Sequence, residues 1–199
     1  NFIVVPEHDR LEGENVIKSK GAIHYITDEE IQGAKALAIS KNVLTVILGG
    51  PNKYYSFSLE ELKRLFHKIE LLFLNRVEEI KIISSRRTPE SIVSFLRDRY
   101  KDNQKVIVDS SLSRKNYIEA LAQAKKIIVT SDSISMLSEA ATTGVPIYLA
   151  KLKSYKNDHR FNSFLELFKK LNIIKDLETN EDSWTYDKLY ETKRIAELL

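Results

Sequence analysis

From residue 42 onward the chain alternates short, predominantly apolar runs with longer stretches whose apolar residues recur at helical spacing. The apolar runs are residues 43–48, 80–83, 106–108, 127–129 and 147–149. A strand that is apolar on both sides needs cover on both faces, and parallel sheets flanked by helices supply that cover. Between the runs lie amphipathic segments at 59–74, led by Ser58, and at 114–124, and Pro89 opens a third. This alternation predicts an α/β protein, with a Rossmann-like parallel sheet carrying helices on both faces.

The first forty residues read differently. Asn1 leads straight into a strand-like run over 2–6, followed by a polar segment to Gly21 and a short apolar patch at 22–26. Thr27 and Glu30 have capping-box spacing, which predicts a helix over 27–40. Residues 1–41 are therefore expected to be the end of a truncated N-terminal domain plus a connecting helix, with the rest of that domain missing. Residues 42–180 are expected to be a Rossmann-like nucleotide-binding domain, and the last fifty residues are helical in character, with Phe161, Phe164, Leu165, Phe168 and Leu171 making one apolar face. Residues 181–199, with Trp184, Leu189 and Ile195, read as a terminal helix packing back toward the N-terminal domain.

The net charge of +3, from 31 basic and 28 acidic residues, argues against a nucleic-acid surface. Cysteine is absent, so no thiolate ligand or thiol nucleophile is available. No apolar run approaches the roughly 20 residues that span a bilayer. The expectation is a cytoplasmic protein with no transmembrane segment, with peripheral membrane association left open. There is no P-loop, no G-x-G-x-x-G, no H-E-x-x-H and no G-x-S-x-G. Neither a metal site nor a cofactor is expected.

In an open parallel sheet, ligands bind beyond the carboxyl ends of the strands. Those ends carry Gly49-Gly50-Pro51, Ser85-Arg86-Arg87-Thr88, residues 109–112, Thr130-Ser131-Asp132-Ser133-Ile134-Ser135 and residues 150–153. Glycines, hydroxyls and two fork-shaped cations at one rim suit a phosphorylated ligand. Ser131, Ser133 and Ser135 crowd the start of a helix on which Asp132, Ser135, Glu139 and Thr142 share a stripe, so Glu139 is placed to accept from a ribose diol. Ser, Thr and Asp also cap ordinary helices. Among the histidines, His8 with Asp9 follows a strand and is a candidate acid–base pair, although neighbouring side chains seldom face one another. His24 reads as a packing residue and His67 as inert. Tyr54, Tyr55 and Phe57 serve equally as a ligand cover or as a loop anchor.

Six motifs in order, Pro6-x-His8-Asp9, Gly13-x-Asn15-Val16, Gly21-Ala22-x-His24, Ile47-Leu48-Gly49-Gly50-Pro51, Ser85-Arg86-Arg87-Thr88-Pro89 and Thr130-x-Asp132-Ser133-x-Ser135-Met136-x-Ser138-Glu139-Ala140, resemble the "elongated mitochondria" mitochondrial-fission family. Its bacterial members were once labelled predicted nucleoside-diphosphate-sugar epimerases. The resemblance implies a GT-B glycosyltransferase-type architecture of two Rossmann domains, of which this chain holds the C-terminal one. Residues 131–146 are more distantly similar to the donor segment of the peptidoglycan N-acetylglucosaminyl transferase and of non-hydrolysing UDP-N-acetylglucosamine 2-epimerases. That likeness implies Ser133 and Ser135 at the diphosphate, Glu139 at the ribose and residues 109–112, including Leu112, beside the base. Ile134 stands where those enzymes often have glycine.

The expected function is metal-independent sugar transfer from a nucleoside-diphosphate sugar. Arg86 or Arg87 would stabilise the leaving diphosphate and His8 or Asp9 would handle the acceptor proton. Gly49, Gly50, Ser85, Thr88, Leu112, Ser131, Ser133, Ser135 and Glu139 would form the binding surface. The alternatives are an epimerase on the same architecture and a non-catalytic interaction module.

Overall fold

The computed structural model describes residues 1–199 except 10, 38, 40, 157, 158, 180 and 181. In chain order the elements are β1 (Ile3–Pro6), β2 (Val16–Ser19), α1 (Asp28–Ala36), β3 (Val43–Leu48), α2 (Leu59–Phe73), β4 (Glu79–Ser84), α3 (Glu90–Tyr100), β5 (Val106–Asp109), α4 (Arg114–Gln123), β6 (Ala124–Thr130), α5 (Ile134–Ala140), β7 (Ile147–Ala150), α6 (His159–Lys170), β8 (Ile174–Asp176) and α7 (Glu191–Ala196). Six strands form one sheet in the order β5-β4-β3-β6-β7-β8, every neighbouring pair parallel. The order reverses between β3 and β6, which opens a crevice at their carboxyl ends. The expected α/β fold is the one observed.

All six residues of β3 are buried, as a central strand covered on both faces requires. One face packs Val46, Leu48, Ile82 and Ile128 against Leu62, Phe66 and Ile69 of α2 and Ile92 and Leu96 of α3. The other packs Ile47, Ile127, Val129 and Leu149 against Leu121 of α4, Leu137 of α5 and Phe164 and Phe168 of α6. Ser58 caps α2 as expected, accepting from Glu61 N. Thr27 and Glu30 close the full capping box of α1, although that helix ends at Ala36; residues 38 and 40 of the expected helix lie outside the described residues.

Three expectations are corrected. The polar segment before Gly21 contains β2, which pairs in parallel with β1 as a separate two-stranded unit. Residues 174–176, within a stretch read as helical, form the edge strand β8 on β7. The terminal helix is much shorter than 181–199, because α7 spans only Glu191–Ala196. Before it the chain is a non-helical strap that reaches both cores. Trp184 packs edge-on to Tyr148 at 5.0 Å in one core, while Leu189 enters the other. The Leu189 N–H donates to Ala141 O (3.1 Å) and Tyr186 Oη donates to Val145 O (2.9 Å). A helix would rotate Trp184 and Leu189 about 140° apart only a few ångströms along one axis, and it could not serve two cores.

Candidate functional site

The crevice where the strand order reverses is held shut at its base by a dense set of hydrogen bonds. Gly49 N donates to Thr130 Oγ1 and Gly50 N to Asp132 Oδ2, both at 2.9 Å. Arg87 lies over this joint, with Nη1 donating to Gly50 O (2.8 Å) and Nη2 to Asp132 Oδ2 (2.9 Å). Thr88 Oγ1 and Ser85 Oγ both donate to Gly49 O, while Ser85 N donates to Thr88 Oγ1. The loops after β3, β4 and β6 are therefore bonded to one another.

The two glycines are explained by the same joint. A Cβ on Gly49 would lie 2.0 Å from Asp132 Oδ2, and one on Gly50 would lie 2.1 Å from Arg87 O. Protein atoms take the close approach that sequence reasoning assigned to a phosphate. Ser131 is likewise engaged, its buried Oγ accepting from Leu152 N at 3.0 Å. Ser133 is the N-cap of α5, accepting from Met136 N at 3.4 Å. Ser135 is exposed on the first turn. The stripe read from the sequence breaks up here, because Asp132 turns inward ahead of the helix and Thr142, past its end, is fully buried.

Beside this joint, on the β3–β4–β5 side, lies a cleft of about 300 Å³. Ile47 and Ile83 form its floor, Ser85 and Arg86 one wall, Tyr117 and Arg114 of α4 another, and Met136 and Glu139 of α5 a third. Asp109 and Leu112 line its outer lip. Leu112 sits at φ 56° with 55% of its surface exposed, a backbone region that costs a bulky residue about 1 kcal/mol or more. The structure thus brings Ser85, Arg86, Leu112 and Glu139 together from the expected site. It places Gly49, Gly50, Arg87 and Thr88 in the joint beside it and ties Ser131 to the loop after β7.

Four charged side chains line this cleft, Arg86, Asp109, Arg114 and Glu139. Burial pushes the Glu139 carboxyl above its ordinary range, against the hydrogen bond it accepts from Tyr117 Oη at 2.7 Å on Oε2. Burial, together with the Glu139 charge, drives the Tyr117 phenol far upward, so it stays a donor. Oε1 of Glu139 accepts no bond among the described residues, and Arg86 makes neither a hydrogen bond nor an ion pair among them. Arg114, by contrast, is committed to a two-pronged pair with Glu30 on α1. Asp109 is held below the usual carboxylate range. Burial opposes this, and hydrogen bonds from Ser111 and Asn116 outweigh it.

His8 and Asp9 stand outside this cleft, on the loop after β1. His8 packs edge-on to Phe164 of α6, its ring 6.0 Å away, and Asp9 pairs with Arg160 at 3.4 Å. His24 is a packing residue, as expected, with Nδ1 accepting from Ile26 N and burial lowering its pKa. Tyr55 and Phe57 are buried in the core and anchor their loop. Tyr117 escaped the sequence reasoning, since nothing in the periodicity of α4 distinguishes it from a core aromatic. The sequence puts Asp132 on the same helical stripe as Glu139, and only the fold shows it joining three loops through Gly50 N and Arg87. Among the described residues, no group of three or more His, Cys, Asp or Glu converges as a metal site, and no helix is long and apolar enough to cross a membrane.

Comparison with known proteins adds to this geometry. Residues 1–199 match the family model described as "Mitochondrial fission ELM1". The chain belongs to that family. It is 31% identical over 203 residues to "Uncharacterized protein RP120" of Rickettsia prowazekii (strain Madrid E), covering 97% of this chain and 57% of that protein. It is 25% identical over 192 residues to "Mitochondrial fission protein ELM1" of Arabidopsis thaliana, covering 92% of this chain and 44% of that one. The chain thus spans about half the length of these curated relatives. Among solved structures, MurG of Acinetobacter baumannii superposes with a TM-score of 0.50 at 16% identity, over 94% of this chain and 48% of that one. At that identity the likeness is one of fold, and it agrees with a GT-B Rossmann-like domain.

Proposed function

We propose that this domain binds a nucleoside-diphosphate sugar in the Arg86–Glu139 cleft and takes part in transferring the sugar to an acceptor. One observation carries the reading: a guanidinium and a carboxylate oxygen that have no partner among the described residues line the same cleft, at the carboxyl ends of strands flanking the reversal of strand order. Arg86 answers the diphosphate with a fork of donors. Glu139 Oε1 accepts from the ribose hydroxyls while Tyr117 holds Oε2 in place. Leu112, in its strained backbone conformation, covers the base. The seven-residue α5 has a dipole of little reach, so Arg86 rather than the helix start supplies the stabilisation of the leaving diphosphate.

In this reading Arg87, Gly49, Gly50 and Thr88 fix the loops beside the cleft, while Ser131, Ser133 and Ser135 lie outside its lining. His8 and Asp9 serve an acceptor proton only if the acceptor reaches over from the β1 loop. The fold neighbour MurG supports a GT-B type of chemistry, and the family description supports a role in organelle fission.

The experiment is calorimetry with UDP-, GDP-, ADP- and CMP-sugars on wild type, Arg86→Ala and Glu139→Ala. Micromolar binding by one nucleotide sugar, weakened at least tenfold in each variant, is expected. Binding untouched by both substitutions removes the cleft from consideration. Product analysis with no acceptor present separates transfer from epimerisation, since only the epimerase releases altered sugar.

A further inference from the structure

Arg114 stands at the edge of the cleft, but its charge is engaged outside it. It is the first residue of α4 and lines the cleft together with Arg86, the other cation there. Its guanidinium turns toward α1. Both Nη atoms pair with the Glu30 carboxylate, Nη2 to Oε2 at 2.9 Å, and Nη2 also donates to Tyr25 O at 3.2 Å. The pair adds little to the docking of α1, because Ile26 and Ile31 are already buried in one core with Ile118 and Leu121 of α4. The two side chains are 58% and 34% exposed, and an ion pair so open to water biases an equilibrium by about fivefold at most. Without Arg114, Glu30 would still accept from Thr27 N in the capping box and remain partly in water.

The cleft itself is short of positive charge. Of the cations lining it, Arg86 alone makes no ion pair among the described residues, whereas Asp109 and Glu139 bring two carboxylates to the same lining. A diphosphate esterified at both ends adds about two more negative charges. A phosphate held in the cleft is also the stronger partner for a guanidinium. It offers paired oxygens to the two-pronged donor, and less water screens the contact.

We infer, resting on the nucleotide-sugar reading above, that Arg114 is a second ligand-binding cation of the cleft, held in reserve by Glu30 and drawn over by the diphosphate. Side-chain torsions suffice for the exchange, since Arg114 borders both the cleft and α1. Glu30 is then a positioning residue that sets nucleotide affinity by competing for Arg114 without touching the ligand.

The test is calorimetry with UDP-N-acetylglucosamine, GDP-mannose and ADP-glucose on wild type, Glu30→Gln, Arg114→Ala and the double variant. Glutamine still serves a capping box, so Glu30→Gln removes the competing charge and keeps the start of α1. For the nucleotide sugar that binds, Glu30→Gln is expected to tighten affinity about two- to fivefold. Arg114→Ala should weaken it about threefold or more, and adding Glu30→Gln to Arg114→Ala should change nothing further. Tightening that persists without Arg114 means that Glu30 acts through the shape of the cleft wall, and it overturns the inference. So does a Glu30→Gln affinity less than twofold tighter than wild type, and that comparison decides alone should Arg114→Ala fail to fold. Binding that ignores both substitutions leaves the nucleotide reading standing and sinks only the role of Arg114. Absence of binding by every probe overturns the nucleotide reading, and this inference with it.

Discussion

The two adjacent arginines give the sharpest test of how this rim is built. Arg87→Ala removes the bonds to Gly50 O at 2.8 Å and to Asp132 Oδ2 at 2.9 Å. It leaves a fully buried carboxylate with Gly50 N as its remaining donor. Breaking a buried pair from one side costs about 3–5 kcal/mol. The Arg87 side chain is 40% exposed, so water already screens part of that interaction, and about 1.5–3 kcal/mol is the better expectation. For a domain of this size that is a fall in Tm of about 3–12 °C. Arg86→Ala, which removes no bond among the described residues, should stay within about 0.5 kcal/mol of wild type. Differential scanning calorimetry of both variants, with Asp132→Ala and Arg87→Ala/Asp132→Ala completing the cycle, measures this. A coupling of about 1 kcal/mol or more is expected between Arg87 and Asp132. Strict additivity, or an Arg87→Ala variant as stable as Arg86→Ala, refutes the division of labour between the two residues.

Other outcomes follow from the same geometry. Gly49→Ala forces a Cβ to 2.0 Å from a buried carboxylate and should destabilise by about 3 kcal/mol or more, whereas Gly33→Ala, with open space around it on α1, should stabilise by about 0.5–1 kcal/mol; chemical denaturation compares the pair. Because burial raises the Glu139 pKa in the folded state, the stability this group contributes is fully present below the ordinary glutamate value of 4.5 and is lost as pH rises through the raised value. Glu139→Gln cannot ionise, so the Tm difference between variant and wild type should move in the variant's favour from pH 4 to pH 7.5; a pH-independent difference counts against the assignment. Trp184 is the single tryptophan and is 8% exposed, so its fluorescence should shift to the red on unfolding. Trp184→Ala should cost about 3–5 kcal/mol by leaving Tyr148 unsupported on one side.

Much of the architecture was legible because it depends on local patterns. Runs such as Val43–Leu48 are apolar on both sides, which only a covered strand tolerates, and Ser58 and Thr27 cap the helices they precede. The short elements were not legible. Three residues of β8 and four of β2 carry too little periodicity to stand out from the polar or helical stretches around them. The strap before α7 has apolar residues whose spacing answers to two separate cores, which a helical pattern imitates. At the candidate site the residue types pointed to the strand ends beside which the cleft lies, yet their partition could not be read. Ser85 and Arg86 face the cleft, while Arg87, Gly49 and Gly50 close on Asp132.

The amino-acid sequence by itself determined that this protein is a parallel α/β sheet with helices on both faces, because strand burial and helix capping are decided by residues within one element. Only tertiary structure decided which polar groups remain for a ligand. Hydrogen bonds saturate, and whether Arg86 or Arg87 is left with spare donors depends on which of them can reach a carboxylate 45 residues away in the chain.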